Sequence, residues 1–138
     1  MGAQVFIDAY AKIYNLHERS RAAAQAGLYD AAAFYMRKII EVITDSFLNH
    51  YANTGNGWMF EQFCWSNGHD RPSLDDKIDF LLLQSNIPQT SRNTYDAVRQ
   101  YGNAAVHKVD FQEGFQKHFE MMRLLEVEIK AFYQMAMG

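Results

Sequence analysis

The chain has 138 residues, 49% of them hydrophobic and 21% charged, with a net charge of −3 and a pI near 5.9. These values predict one globular domain over 1–138 with room for a sizeable core, and they exclude a protein that coats nucleic acid over its whole surface. A lone cysteine, Cys64, excludes an internal disulfide, and no apolar run has membrane-spanning length or reads as a leader, so a cytoplasmic setting away from the membrane is expected.

Only two prolines occur, Pro72 and Pro88, and both fall between helical patterns. β-Branched alternation is nearly absent while strong helix formers are plentiful, which predicts an all-α bundle of four to five helices. The first helix is expected over 4–26, with Phe6, Tyr10, Ile13, Tyr14 and Ala24 on or near one face and Gly27 as its stop. From Tyr29 a stronger pattern runs through Ala32, Ala33, Met36, Ile39, Ile40, Ile43, Phe47 and Tyr51, three and four residues apart. The alanine-rich junction between the two predicts a close helical hairpin. On the second helix Arg37 and Glu41 are spaced for an ion pair, read as a solvated surface contact.

Residues 52–72 carry the breakers Asn53, Gly55, Asn56, Gly57 and Asn67-Gly68, yet also Trp58, Met59, Phe60, Phe63 and Trp65. That is too apolar for a free linker, and it predicts a short turn folded onto the body or onto a second subunit. Cys64 and His69 are two ligand types without a second pair, too few for a structural metal site, so no metal and no cofactor is expected. Ser73 with Asp76 forms a capping box opening a third helix, with Leu74, Ile78, Leu81 and Leu82 as its core face. Thr90 or Ser91 is the expected cap of the fourth helix, and Asp110 with Glu113 that of a fifth running to Met135. The fifth helix is read with a core stripe of Phe111, Phe115, Phe119, Met122, Leu124 or Leu125, Ile129 and Phe132. Its methionines are core filler rather than ligands.

The stretch Tyr95 to Lys108 carries the chemistry. On a helix Arg99, Asn103 and His107 recur every four residues and share one stripe. Beside them lie Tyr95, Val98, Gly102, Ala105 and Val106, small enough for another backbone to approach closely. An arginine, an amide and a histidine near a packed seam suit anion binding or phosphodiester cleavage, and equally suit a structural hydrogen-bond network.

In the order R-K-I-I-E (Arg37 to Glu41), L-D-D-K-I-D-F-L (Leu74 to Leu81) and V-R-Q-Y-G-N-A-A-V-H (Val98 to His107), the chain resembles the bacterial "domain of unknown function 4145" family, itself similar to the HEPN superfamily of helical domains. The resemblance implies a bundle of four or more helices, often dimeric, in restriction, phage-defence or toxin systems. Many HEPN domains are metal-independent ribonucleases that bring an arginine and a histidine together at a dimer interface, and others are inactive interaction modules. The HEPN motif has four to six residues between arginine and histidine, whereas seven separate Arg99 from His107.

Two functions lead, with small-ligand or nucleotide binding in the same cleft as a third. As a ribonuclease, His107 would transfer protons at an RNA 2′-hydroxyl, Arg99 would hold the phosphate and Asn103 would orient either. As a non-catalytic module binding RNA or a partner protein, Arg99 and Asn103 would satisfy buried groups, Glu41 would pair with Arg99 and His107 would cap its helix. The acidic pI and the long spacing favour the module. Arg37, Glu41 and Lys108 are the accessory binding residues, with Arg71 and Arg92 as a basic rim. A homodimer is expected through the 58–65 aromatics and the small-sided fourth helix.

Overall fold

The computed structural model describes residues 4–51, 73–83, 87–107 and 114–138, apart from the side chains of Tyr51, Leu83 and His107. Five helices, α1 (Gln4–Gln25), α2 (Tyr29–Tyr51), α3 (Leu74–Leu83), α4 (Gln89–His107) and α5 (Phe115–Met137), make up almost all of them, and no strand occurs among the described residues. The all-α expectation holds.

Gly27 ends α1 with φ of 77°, a left-handed turn that glycine adopts without a Cβ penalty. The chain then folds back at once. Phe6 meets Phe47 and His50 at one end of the hairpin, and the Ser20 hydroxyl donates to the Ala32 carbonyl at 2.9 Å near the other. Ser20 and Ala32 are both fully buried, so it is their small size that lets α1 and α2 approach so closely.

α2 is the hub of the bundle. Ala33, Met36, Ile39, Ile40 and Ile43 have no exposed surface, and burying a large aliphatic side chain is worth about 1.5–3 kcal/mol. α4 runs antiparallel to it, with Gly102 beside Ala33 and Arg37 at one end and Tyr95 sharing a small hollow with Phe47 towards the other. α5 runs with α2 and against α1, as the ring pairs Tyr29–His118, Phe47–Phe132 and Tyr10–Tyr133 fix. Thus α1, α2, α4 and α5 form an up-down-up-down bundle. α3 packs against α2 and α4, burying Leu74, Ile78, Phe80 and Leu81.

The capping box forms as expected. Asp76 N–H donates to the Ser73 hydroxyl at 3.1 Å, and Ser73 N–H donates to the Asp76 carboxylate at 2.9 Å. The fourth helix differs, because it begins at Gln89, before Thr90 and Ser91. The Ser91 hydroxyl instead donates across the bundle to Glu128 at 2.9 Å. Gly114 stands at the N-cap of α5 without a side-chain cap, while Asp110 and Glu113 lie outside the described residues.

The stripe of α5 is also corrected. His118, Met121, Met122, Leu125, Phe132 and Ala136 are buried, whereas Phe115 and Phe119 are 64% and 46% exposed and Leu124 is exposed too. Phe119 is therefore not at the bundle centre. The inward position in that turn belongs to His118, against Tyr29, and Phe119, about 100° further round the helix, points out. Tyr14 likewise faces outward, while Ile40 is buried as expected.

Candidate functional site

Gly102 decides the geometry of the α2–α4 seam. A Cβ built there would stand 2.5 Å from Arg37 Cβ and 3.1 Å from the Ala33 carbonyl oxygen. No larger residue fits without moving a helix, so glycine sets the approach. The small-sided face of α4 is thereby occupied by α2 of the same chain and is not free for a second subunit. Val106, one turn on, is 56% exposed and takes no part in that face.

At this approach Arg37 extends along α4. Its Nε donates to Asn103 Oδ1 at 2.8 Å, and its Nη1 meets the Glu41 carboxylate one turn along α2. Lys38 Nζ reaches the other Glu41 oxygen at 3.3 Å. The Arg37 and Glu41 side chains are each only 25% exposed, so the pair is half-buried rather than the solvated contact that its spacing suggested. A guanidinium held by both an amide and a carboxylate is fixed in orientation and has its charge offset by Glu41, which weakens its pull on an incoming anion.

Arg99 looks elsewhere. Its nearest acids are Asp75 of α3 at 3.7 Å and Asp96 of its own helix at 3.8 Å. The expected Arg99–Glu41 pair does not form, because Glu41 is engaged by Arg37 and Lys38 while α3 brings its own acids to Arg99. Arg92 completes the cluster, contacting Asp79 and lying 3.4 Å from Asp96. Here two arginines face three aspartates, a balance that disfavours a phosphate. Burial holds the Asp79 carboxyl above its ordinary value against the pull of Arg92, with Asp75, Asp96 and Asp76 pushing the same way as burial.

Arg99 and Asn103 thus share a side of α4, as their spacing requires, but they turn to different partners. The structure joins Asn103 to Arg37 and Glu41 and leaves Arg99 with aspartates. His107 is the last residue of α4, and its side chain lies outside what is described. Lys108, Arg71, Cys64, His69 and the aromatics of 58–65 lie outside the described residues as well. Among the described residues no three His, Cys, Asp or Glu side chains come close enough to hold a metal ion, and no helix is long and apolar enough to cross a membrane.

Two groupings are not assembled by sequence alone. The run Arg92, Asp96, Arg99 has helical ion-pair spacing and was legible; its junction with Asp75 and Asp79 depends on where α3 docks. His118 is buried with its Nδ1 sealed from solvent and unbonded, beside Tyr29 and on the wall of a hollow shared with Arg21, Phe119 and Glu126. Burial lowers its basicity against the opposing effect of Glu126.

No curated protein and no solved structure matches the chain. One family does, along nearly the whole length: residues 18–136 match the domain of unknown function DUF4145, and the chain belongs to that family.

Proposed function

We propose that the chain is an HEPN-like, homodimeric module that works by binding another macromolecule in a prokaryotic defence or conflict system, rather than by catalysis. One observation carries the choice: Arg37 bonds Asn103 across the Gly102 contact and Glu41 along its own helix, and Arg99 lies between acids. Side chains committed in this way hold helices together, and a phosphate entering beside Arg99 would meet Asp75 and Asp96 first. The wider setting and the dimer rest on the resemblance to HEPN domains and on the apolar surface left open on α5.

The test is incubation of the purified protein with mixed RNA in EDTA, beside His107→Ala. The module reading expects no cleavage by either. Cleavage by the wild type but not by the variant would replace it with a metal-independent ribonuclease in which His107 transfers the proton.

A further inference from the structure

α5 carries Phe115, Phe119, Leu124, Val127, Tyr133, Met135 and Met137, seven of the eleven large apolar side chains that are exposed among the described residues. Exposed apolar surface concentrated in this way marks an interaction face. Its outer residues also have an order. Phe119, Arg123, Glu126, Lys130, Tyr133 and Met137 follow one another at alternating intervals of four and three and are all exposed. That is the spacing of a single seam along a helix, the one used when two helices pack side by side. Next to the seam runs a hollow of about 580 Å³, walled on the α1 side by Tyr10 and His17.

We infer that this seam is where two copies of the chain meet, through an antiparallel α5–α5 pair whose two-fold axis passes level with Glu128. In that register the charges are complementary. Glu126 faces the partner's Lys130 and Lys130 faces the partner's Glu126. Arg123 lies over the partner's Tyr133, a cation–π geometry, and Phe119 meets the partner's Met137. Val127, at 66% the most exposed of these apolar side chains, lies beside the axis and is covered twice. A parallel pair would set Glu126 on Glu126 and Lys130 on Lys130, which costs energy at every charged layer. Sliding the antiparallel pair by one heptad towards the N-terminus sets Tyr133 opposite the partner's Gln116, a polar residue, and leaves Met137 without a counterpart on α5.

The 23 residues of α5 span about 35 Å. With the α1 flank the contact would bury on the order of 600 Å² per partner, towards the small end of specific interfaces, so a micromolar, exchangeable dimer is expected. The interface rests on the homodimer reading above and fixes its face. It also sets the two-fold axis on α5, not on the α2–α4 seam that holds Asn103 and Arg37.

Sedimentation velocity over a range of micromolar concentrations tests it, using the wild type, Glu126→Lys, Lys130→Glu, the double exchange and Val127→Asp. Glu126 also lies 3.3 Å from His17 in its own chain, so a thermal melt of each variant checks that the fold is kept. The wild type is expected to dimerise, each single reversal and Val127→Asp to weaken the dimer at least about tenfold, and the double exchange to restore it. A wild type that stays monomeric would overturn the homodimer and this interface together. Dimers of equal strength in every variant, or a double exchange that restores nothing, would overturn this interface alone.

Discussion

Gly102 has no room for a Cβ because Arg37 Cβ occupies the place, and the same arginine then bonds the next residue, Asn103, at 2.8 Å. Backbone approach and polar tie are one feature: the glycine lets α2 close enough for the arginine to reach the amide. Gly102→Ala therefore meets Arg37 Cβ and the Ala33 carbonyl, neither of them the free end of a flexible chain. Overpacking costs about 1–3 kcal/mol, partly offset by alanine's helix preference of about 1 kcal/mol over glycine. A net loss is expected, read as a lower midpoint in urea unfolding. An unchanged midpoint would mean that the helices separate at no cost.

The tie itself can be measured by a double-mutant cycle. Arg37→Ala and Asn103→Ala are each expected to cost roughly 1–2 kcal/mol, because each leaves a half-buried partner unsatisfied. The double variant should cost less than the sum, with a coupling of about 0.5–1.5 kcal/mol. Strict additivity would show that the bond contributes nothing to stability.

How far this was legible in the sequence differs along the chain. The α2 core from Ala32 to Ile43, the Gly27 stop and the Ser73–Asp76 box could all be read, since each depends on neighbours within one or two turns. The close approach at Gly102 was readable as a small-sided face, but not what it faced. Arg37 and Asn103 lie sixty-six residues apart, and nothing local says that one reaches the other. The same holds for Arg99, whose partner Asp75 comes from α3. On α5 chemical preference favours an aromatic for the core over the histidine preceding it, and Tyr29 reverses that choice.

The capping box of α3 offers a local test. Ser73→Ala removes the acceptor of the Asp76 N–H and leaves the Asp76 carboxylate in place. A cost of about 1 kcal/mol is expected from chemical unfolding, while Ser73→Asn or Ser73→Asp should retain most of the stability. Equal stability of Ser73→Ala and wild type would show that the first turn of α3 is held by Leu74 packing alone.

His118 should make stability depend on pH. Burial holds its pKa below the ordinary 6.5, so the folded chain takes up a proton there less readily than the unfolded one. Stability from the neutral ring is fully present above the unfolded value and is lost as the pH falls through 6.5 towards the folded one. Arg21 and Gln25 of α1, Tyr29 of α2 and Glu126 of α5 surround it, and only Glu126 favours the charged form. Between about pH 7 and pH 5.5 the melting temperature of the wild type should fall more than that of His118→Phe, which cannot titrate. Parallel curves for the two proteins would show that His118 ionises as freely folded as unfolded.

Leu125 and Phe119 separate the two faces of α5. Leu125 is fully buried and Phe119 is 46% exposed, within six residues of one another on the same helix. Below the concentration at which copies associate, Leu125→Ala should cost about 2–5 kcal/mol, from lost transfer energy and the cavity it leaves. Phe119→Ala should change stability by no more than about 0.5 kcal/mol there, as an outward side chain does. At higher concentration the gap between the two narrows. The deficit of Phe119→Ala relative to the wild type should then grow, because a dimer that binds only the folded chain adds stability that rises with the logarithm of concentration above its Kd, and that addition is lost with the ring. Urea unfolding of both variants at two protein concentrations reads this directly. A Phe119→Ala deficit that is large and independent of concentration would return the residue to the core of its own chain.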